Sequence, residues 1–122
     1  MSHWSAKYYG MPWTKDFDCA KFCELVYKIE FGLNLILPQH SENVSVSEQF
    51  SSKYECDMAE ISDAPVEGDI VLMANIGFLH LGILFSITEP YVIHNRKPCG
   101  VIAERLSNLH VLGFYRWKHN EK

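Results

Sequence analysis

No stretch of this 122-residue sequence approaches the roughly 18 to 20 consecutive apolar residues that a membrane-spanning helix needs. Its first residues, Met1-Ser2-His3-Trp4-Ser5-Ala6-Lys7, also lack the basic segment and apolar stretch of a secretory signal. The expectation is synthesis in the cytoplasm and no membrane span. An excess of positive charge is missing too. The 11 Lys and Arg against 15 Asp and Glu leave a net charge of -4 and a pI near 5.8. The cations are scattered, so there is no basic stripe for a phosphate backbone, which argues against nucleic acid as the main partner. The chain has no internal repeat, no low-complexity tract and no linker long enough to divide it. What it does have is 48% hydrophobic and 13% aromatic residues, too rich a mixture for a disordered chain. A single domain over residues 1–122 is expected, because a second would have too little chain left to bury a core.

The four cysteines, Cys19, Cys23, Cys56 and Cys99, come without a secretory signal and read as reduced thiols rather than a disulfide framework. Cys19 and Cys23 stand at i, i+4, a spacing that regular helix geometry does not let a disulfide close. No Cys-x-x-Cys or His-x-x-x-His pair, the usual ligand spacing of a zinc site, accompanies them. No metal and no cofactor is expected.

Asp18 is placed to cap a helix over residues 19 to 31, since a carboxylate there accepts from unpaired first-turn amides. Cys19, Phe22, Cys23, Val26 and Ile29 follow helical spacing, and Gly32 supplies the stop. Residues 39 to 64 are polar, with a candidate short helix over Ser47 to Tyr54. Pro65-Val66-Glu67-Gly68-Asp69 is a turn signal. Strands are then expected at Ile70 to Met73, Leu79 to Phe85, Tyr91 to Asn95, Val101 to Leu106 and Val111 to Trp117. The short connections between them favour an antiparallel meander of about five strands, since parallel crossovers need about a dozen residues or more. The fold class is α+β, one helix packed on that sheet.

A cysteine in the first turn of a helix has the positive end of the helix dipole and free amides to support its thiolate. Cys19 has that address. A neighbouring imidazole can take the thiol proton, while a third polar group fixes the tautomer and angle of that imidazole. His80, within Phe78-Leu79-His80-Leu81-Gly82-Ile83, is the candidate base, and His94, within Val92-Ile93-His94, the candidate orienter. Adjacent antiparallel strands would let the two histidines lie side by side on the face that receives the helix. Cys23, Cys56 and Cys99 read as small hydrophobes, and His3, His40, His110 and His119 as surface residues.

Four blocks occur in a fixed order: Asp18-Cys19-Ala20-Lys21-Phe22-Cys23, Gly68-Asp69-Ile70-Val71, His80-Leu81-Gly82-Ile83 and Ile93-His94. Together they resemble the NlpC-type cell-wall cysteine endopeptidases, over about Tyr9 to Val101. Gly10-Met11-Pro12-Trp13, the segment Val26 to Leu33 followed by Leu37-Pro38, and Gly113-Phe114-Tyr115-Arg116 look like the phage and prophage tail-associated branch. The resemblance implies a papain-like fold, with Cys19 as nucleophile, His80 as general base and later acid, and His94 as the orienting residue. It also implies that Asp18 holds the free amine of a stem peptide, and that Tyr9, or equally Tyr8, is the aromatic residue near the oxyanion site. The implied reaction is hydrolysis of an amide in peptidoglycan stem peptides, typically after D-glutamate, by a protein that reaches the cell wall in a virion tail among tail-tip partners. Ala20-Lys21 stands where the family commonly has Ser-Gly. Two other readings keep the same residues: an amidase or acyltransferase on a non-peptidoglycan substrate, and a low-activity structural module of a tail tip.

Overall fold

Asp18 leaves helical geometry at φ -94° and ψ -164° and accepts the Lys21 N–H on its carboxylate, which starts helix α1 at Cys19. The helix runs Cys19–Phe31 and ends at Gly32, whose φ of 69° suits a residue without a Cβ. Both ends fall where the sequence places them. Phe22, Cys23, Val26 and Tyr27 form its buried stripe, with Cys19 and Ala20 buried at its start.

The computed structural model describes residues 3–34, 58–60, 64–75 and 78–117. Its strands are β1 (Met58–Glu60), β2 (Ile70–Asn75), β3 (Phe78–Ser86), β4 (Pro90–Arg96), β5 (Gly100–Arg105) and β6 (Val111–Trp117). They form one antiparallel sheet in the order β1-β6-β2-β3-β4-β5. The fold is therefore α+β, one helix on an antiparallel sheet, and the five predicted strands are all present. Two features differ from the expected meander. After β5 the chain turns through a short 3-10 segment, Leu106–Asn108, and β6 comes back to pair with β2 rather than continuing beyond β5. A three-residue strand, β1, adds to the edge of β6, too short for any alternation to show in the sequence. The helix expected over Ser47 to Tyr54 lies outside the described residues. Among the described residues, no helix is long and apolar enough to cross a membrane.

Both faces of the sheet are covered, which explains why runs such as Ile70-Val71-Leu72-Met73 are apolar without alternation. Ile70, Leu72, Leu81, Ile83, Phe85, Ile93 and Val101 pack with α1. On the other face Val71, Met73, Leu84 and Val92 pack with Leu106, Leu109, Val111 and Phe114. The segment before α1 is tied to β5: the Gly10 N–H donates to the Val101 carbonyl and the Val101 N–H to the Met11 carbonyl.

The turn into β2 is held by charge. Asp69 is buried and receives two 2.8 Å bonds from the Arg116 guanidinium and a third from the Val66 N–H. Such a bidentate pair satisfies both carboxylate oxygens, so the Gly68-Asp69 block and Arg116 do structural work. Removing the cation alone strands a buried carboxylate. Arg116→Met is expected to lower the unfolding free energy by about 3 kcal/mol, checked by urea denaturation, with α1 and the sheet otherwise intact by circular dichroism.

Candidate active site

Strand β3 pairs with β2 from Asn75↔Phe78 to Ile70↔Ile83, but with β4 only from Ile83↔Ile93 to Ser86↔Pro90. Meanwhile β4 stays on β5 as far as Arg96↔Gly100. Beyond Ile83 and Ile93 the two neighbours therefore part, and a wedge opens in the sheet. Leu84 gives its N–H to Asp69 and receives the Gly68 N–H, so its backbone groups face the β2 side. Two-residue alternation gives Gly82 and His80 the same sense, which directs the Leu81 N–H into the wedge. There it meets Cys19: the N–H groups of Leu81, Ala20 and Cys19 itself bear on the sulfur. The tip of α1 thus brings the thiol to the peptide that joins His80 to Leu81.

His80 and His94 lie side by side across the wedge. Nε2 of His80 is 2.7 Å from Nδ1 of His94, with the rings 78° apart, and both residues are buried. On its other nitrogen His94 meets Glu104, Nε2 to Oε1 at 2.8 Å, and Arg96 stands 3.7 Å from the same oxygen. The expectation that the pair occupies the helix-bearing face is corrected by the register. Leu81, Ile83 and Ile93 take that face, so alternation sends His80 and His94 to the side of Met73 and Val92. Cys19 and the histidines approach the wedge from opposite sides. Gly82 makes room for this: a Cβ there would lie 2.5 Å from Val92 Cγ1 and 3.0 Å from His94 Cβ.

The remaining candidates are distributed differently. Asp18 sits beside Cys19, but its Oδ1 is engaged by the Lys21 N–H as the helix cap. The Tyr8 hydroxyl donates to Glu30 at 2.6 Å, near the far end of α1. Eleven helical steps lead from Cys19 to Glu30, about 16 Å of rise, so that hydroxyl is not at the sulfur. Tyr9 is 45% exposed, with its hydroxyl 3.3 Å from Ser5 Oγ. Lys21 folds along the helix to Glu24, 3.4 Å away. Two residues were missed by sequence reasoning, Glu104 and Asn95. Asn95 is fully buried and donates to the carbonyls of Phe17, at 2.8 Å, and Pro12, at 3.4 Å, which ties the segment before Cys19 to β4. An acidic residue inside a predicted strand was the available signal for Glu104.

Burial pushes the Cys19 thiol up to about 12. The Asp18 carboxylate adds to this, and the three amides oppose it without overcoming it. The helix N-terminus alone does not make a thiolate here. Burial also lowers the pKa of His94, against the raising effect of its hydrogen bond to Glu104. The resting site holds a protonated thiol and a neutral His94. Among the described residues, no cluster of His, Cys, Asp and Glu side chains is arranged to hold a metal ion.

Compared with protein-family models and with curated proteins, the sequence matches none. The site is defined by its geometry: a buried thiol at a helix start, held at the Leu81 amide, and a histidine pair backed by a carboxylate.

Two predictions follow from this packing. An unfolded cysteine ionises near ~8.5, whereas Cys19 keeps its proton to about 12, so its alkylation should rise about tenfold per pH unit from about pH 7 to pH 10 without a plateau. By the same difference the folded state binds more protons above the unfolded value, and stability is lost as pH rises through that interval. Iodoacetamide labelling read by peptide mass spectrometry, with exposed Cys99 as the internal control, tests the rate. Gly82→Ala should cost about 1 to 3 kcal/mol by overpacking, and shift the His94 ring resonances, both measurable by thermal unfolding and NMR.

Proposed function

We propose that the protein is a cysteine endopeptidase with a papain-like fold, cutting an amide bond in peptidoglycan stem peptides through an acyl-enzyme on Cys19. The observation that carries this reading is the hydrogen bond between His80 and His94, together with a thiol lodged at the amide of Leu81, the residue after His80. In a papain-like site one imidazole nitrogen serves the sulfur while the other is held by a polar partner. With Nε2 turned to His94, Nδ1 is the nitrogen that would take the thiol proton in this reading.

In the proposed reaction the thiol proton passes to His80 Nδ1 as the sulfur attacks the scissile carbonyl carbon. The carbon–nitrogen bond then breaks, His80 returns the proton to the leaving amine, and a thioester remains on Cys19. Water, deprotonated by His80, attacks the thioester and frees the carboxylic acid and the thiol. A protonated thiol at rest suits this order, because the proton moves only when the substrate carbonyl is in place. In this reading the Cys19 N–H, at the helix start, would serve as an oxyanion donor once the substrate carbonyl is in place; losing one such donor costs about 3 to 4 kcal/mol where it has been measured. The substrate class, a stem peptide cut after D-glutamate, rests on the resemblance of the four sequence blocks, and the tail-associated setting on that of Gly10 to Trp13, Val26 to Leu33 with Leu37-Pro38, and Gly113 to Arg116.

A second reading has one specific observation in its favour. The depth of the thiol, only 5% exposed, suits a tail-tip module of low activity. Defined muropeptides incubated with wild-type protein and with Cys19→Ala separate the two. New fragments that disappear in the variant, identified by mass spectrometry, are expected for the peptidase. A folded, reduced wild-type protein that yields no fragments, yet binds a tail protein stably, would support the module instead.

A further inference from the structure

We propose that Glu104 is a positioning residue that sets the tautomer of both histidines and so makes His80 Nδ1 the basic nitrogen of the site. The argument rests on the proposed role of His80 only for its catalytic consequence. A carboxylate oxygen accepts hydrogen bonds and donates none. Glu104 Oε1, 2.8 Å from His94 Nε2, therefore requires the proton on that nitrogen. A neutral imidazole carries one N–H, so His94 Nδ1 is left with its lone pair. That lone pair, 2.7 Å from His80 Nε2, draws the His80 proton onto Nε2, so that Nδ1 of a neutral His80 carries no proton.

The direction of the chain depends on His94 staying neutral, and its surroundings favour that. His94 is 2% exposed, and the charged groups around it are Glu104 on β5 and Arg96 on its own strand, with His80 on β3. Arg96 lies 3.7 Å from Glu104 Oε1. A cation on His94 would turn Nδ1 into a donor and force the His80 proton to the nitrogen that the reaction needs free. The carboxylate at the end of the chain thus decides what happens two residues away, without touching thiol or substrate.

The test reads the ring nitrogens directly, by two-bond ¹H–¹⁵N correlation on the full-length labelled protein. In the wild type His80 is expected to be protonated at Nε2 and bare at Nδ1, and His94 to be protonated at Nε2. In Glu104→Leu, which leaves His94 Nε2 no side-chain acceptor at that position, the fixed pattern is expected to be lost, with both rings shifting toward the other tautomer. Glu104→Gln and Glu104→Asp, which keep an acceptor, should restore the wild-type pattern at least in part. If muropeptides are cleaved, Glu104→Leu should lower kcat on the order of 100-fold or more with KM little changed. A wild-type His80 protonated at Nδ1, or a pattern unmoved in Glu104→Leu, would overturn the assignment. Failure of the wild type to cleave any muropeptide counts against the proposed function alone, and the nitrogen shifts still decide on Glu104.

Discussion

The parting of β3 from β4 is the constraint on which the rest of the site depends. Were the two strands paired past Ile83 and Ile93, the Leu81 N–H would be consumed by a ladder bond to β4. The sulfur would then have no amide to meet there and no gap in which to approach the histidines. The parting is held from both sides. β3 remains on β2 down to Phe78, and β4 remains on β5 up to Arg96, so neither strand is free to close the wedge. Asn95 completes the arrangement by spending its amide on the carbonyls of Phe17 and Pro12. The loop before α1 is thus fastened to β4 by the Asn95 side chain and to β5 by the backbone of Val101, and the side chains of His80 and His94 bridge the wedge itself.

A site built inside a covered sheet is dry, and dryness has two opposed effects. It disfavours charge, which keeps the thiol protonated despite its place at a helix N-terminus. It also strengthens each hydrogen bond that is made, so the chain from Glu104 through His94 to His80 is stiffer than the same groups would be in water. Electrostatic preorganisation of this kind suits a reaction in which charge appears only on passage to the transition state. On the proposed reading, the burial that makes Cys19 a poor thiolate at rest belongs to the same design as the ordered relay beside it.

How much of this was legible in the sequence follows from the range of the forces involved. The bounds of α1 were readable because Asp18 and Gly32 act within one turn of chain. The strands β2 to β6 were readable from apolar runs punctuated by turn residues. Their adjacency in a hairpin series brought His80 and His94 onto neighbouring strands, as expected. The face they occupy was misjudged because both sides of this sheet are apolar, so the alternation that normally tells inside from outside is missing. The return of β6 to β2 and the capture of β1 depend on pairings between segments distant in sequence. Glu104 escaped notice for a similar reason. Its value lies in standing opposite Val92, diagonal to His94, and no local pattern records that register.

The four sequence blocks divide their labour unequally once placed in the fold. Asp69 is consumed by Arg116 and the Val66 N–H, so the Gly68-Asp69 block fixes a turn. Gly82 keeps a methyl out of the space that Val92 and His94 occupy. Only Cys19, His80 and His94 remain as groups with chemistry of their own, and Asp18 is partly spent on its cap. The same reasoning explains why Ala20-Lys21 is compatible with the fold at the helix start. Ala20 is buried, while the Lys21 N–H is taken by Asp18 and its side chain runs outward to Glu24. The helix start accommodates the long cation because its side chain, 40% exposed, runs to Glu24 instead of into the core, so the placement of the sulfur and the histidines does not depend on it.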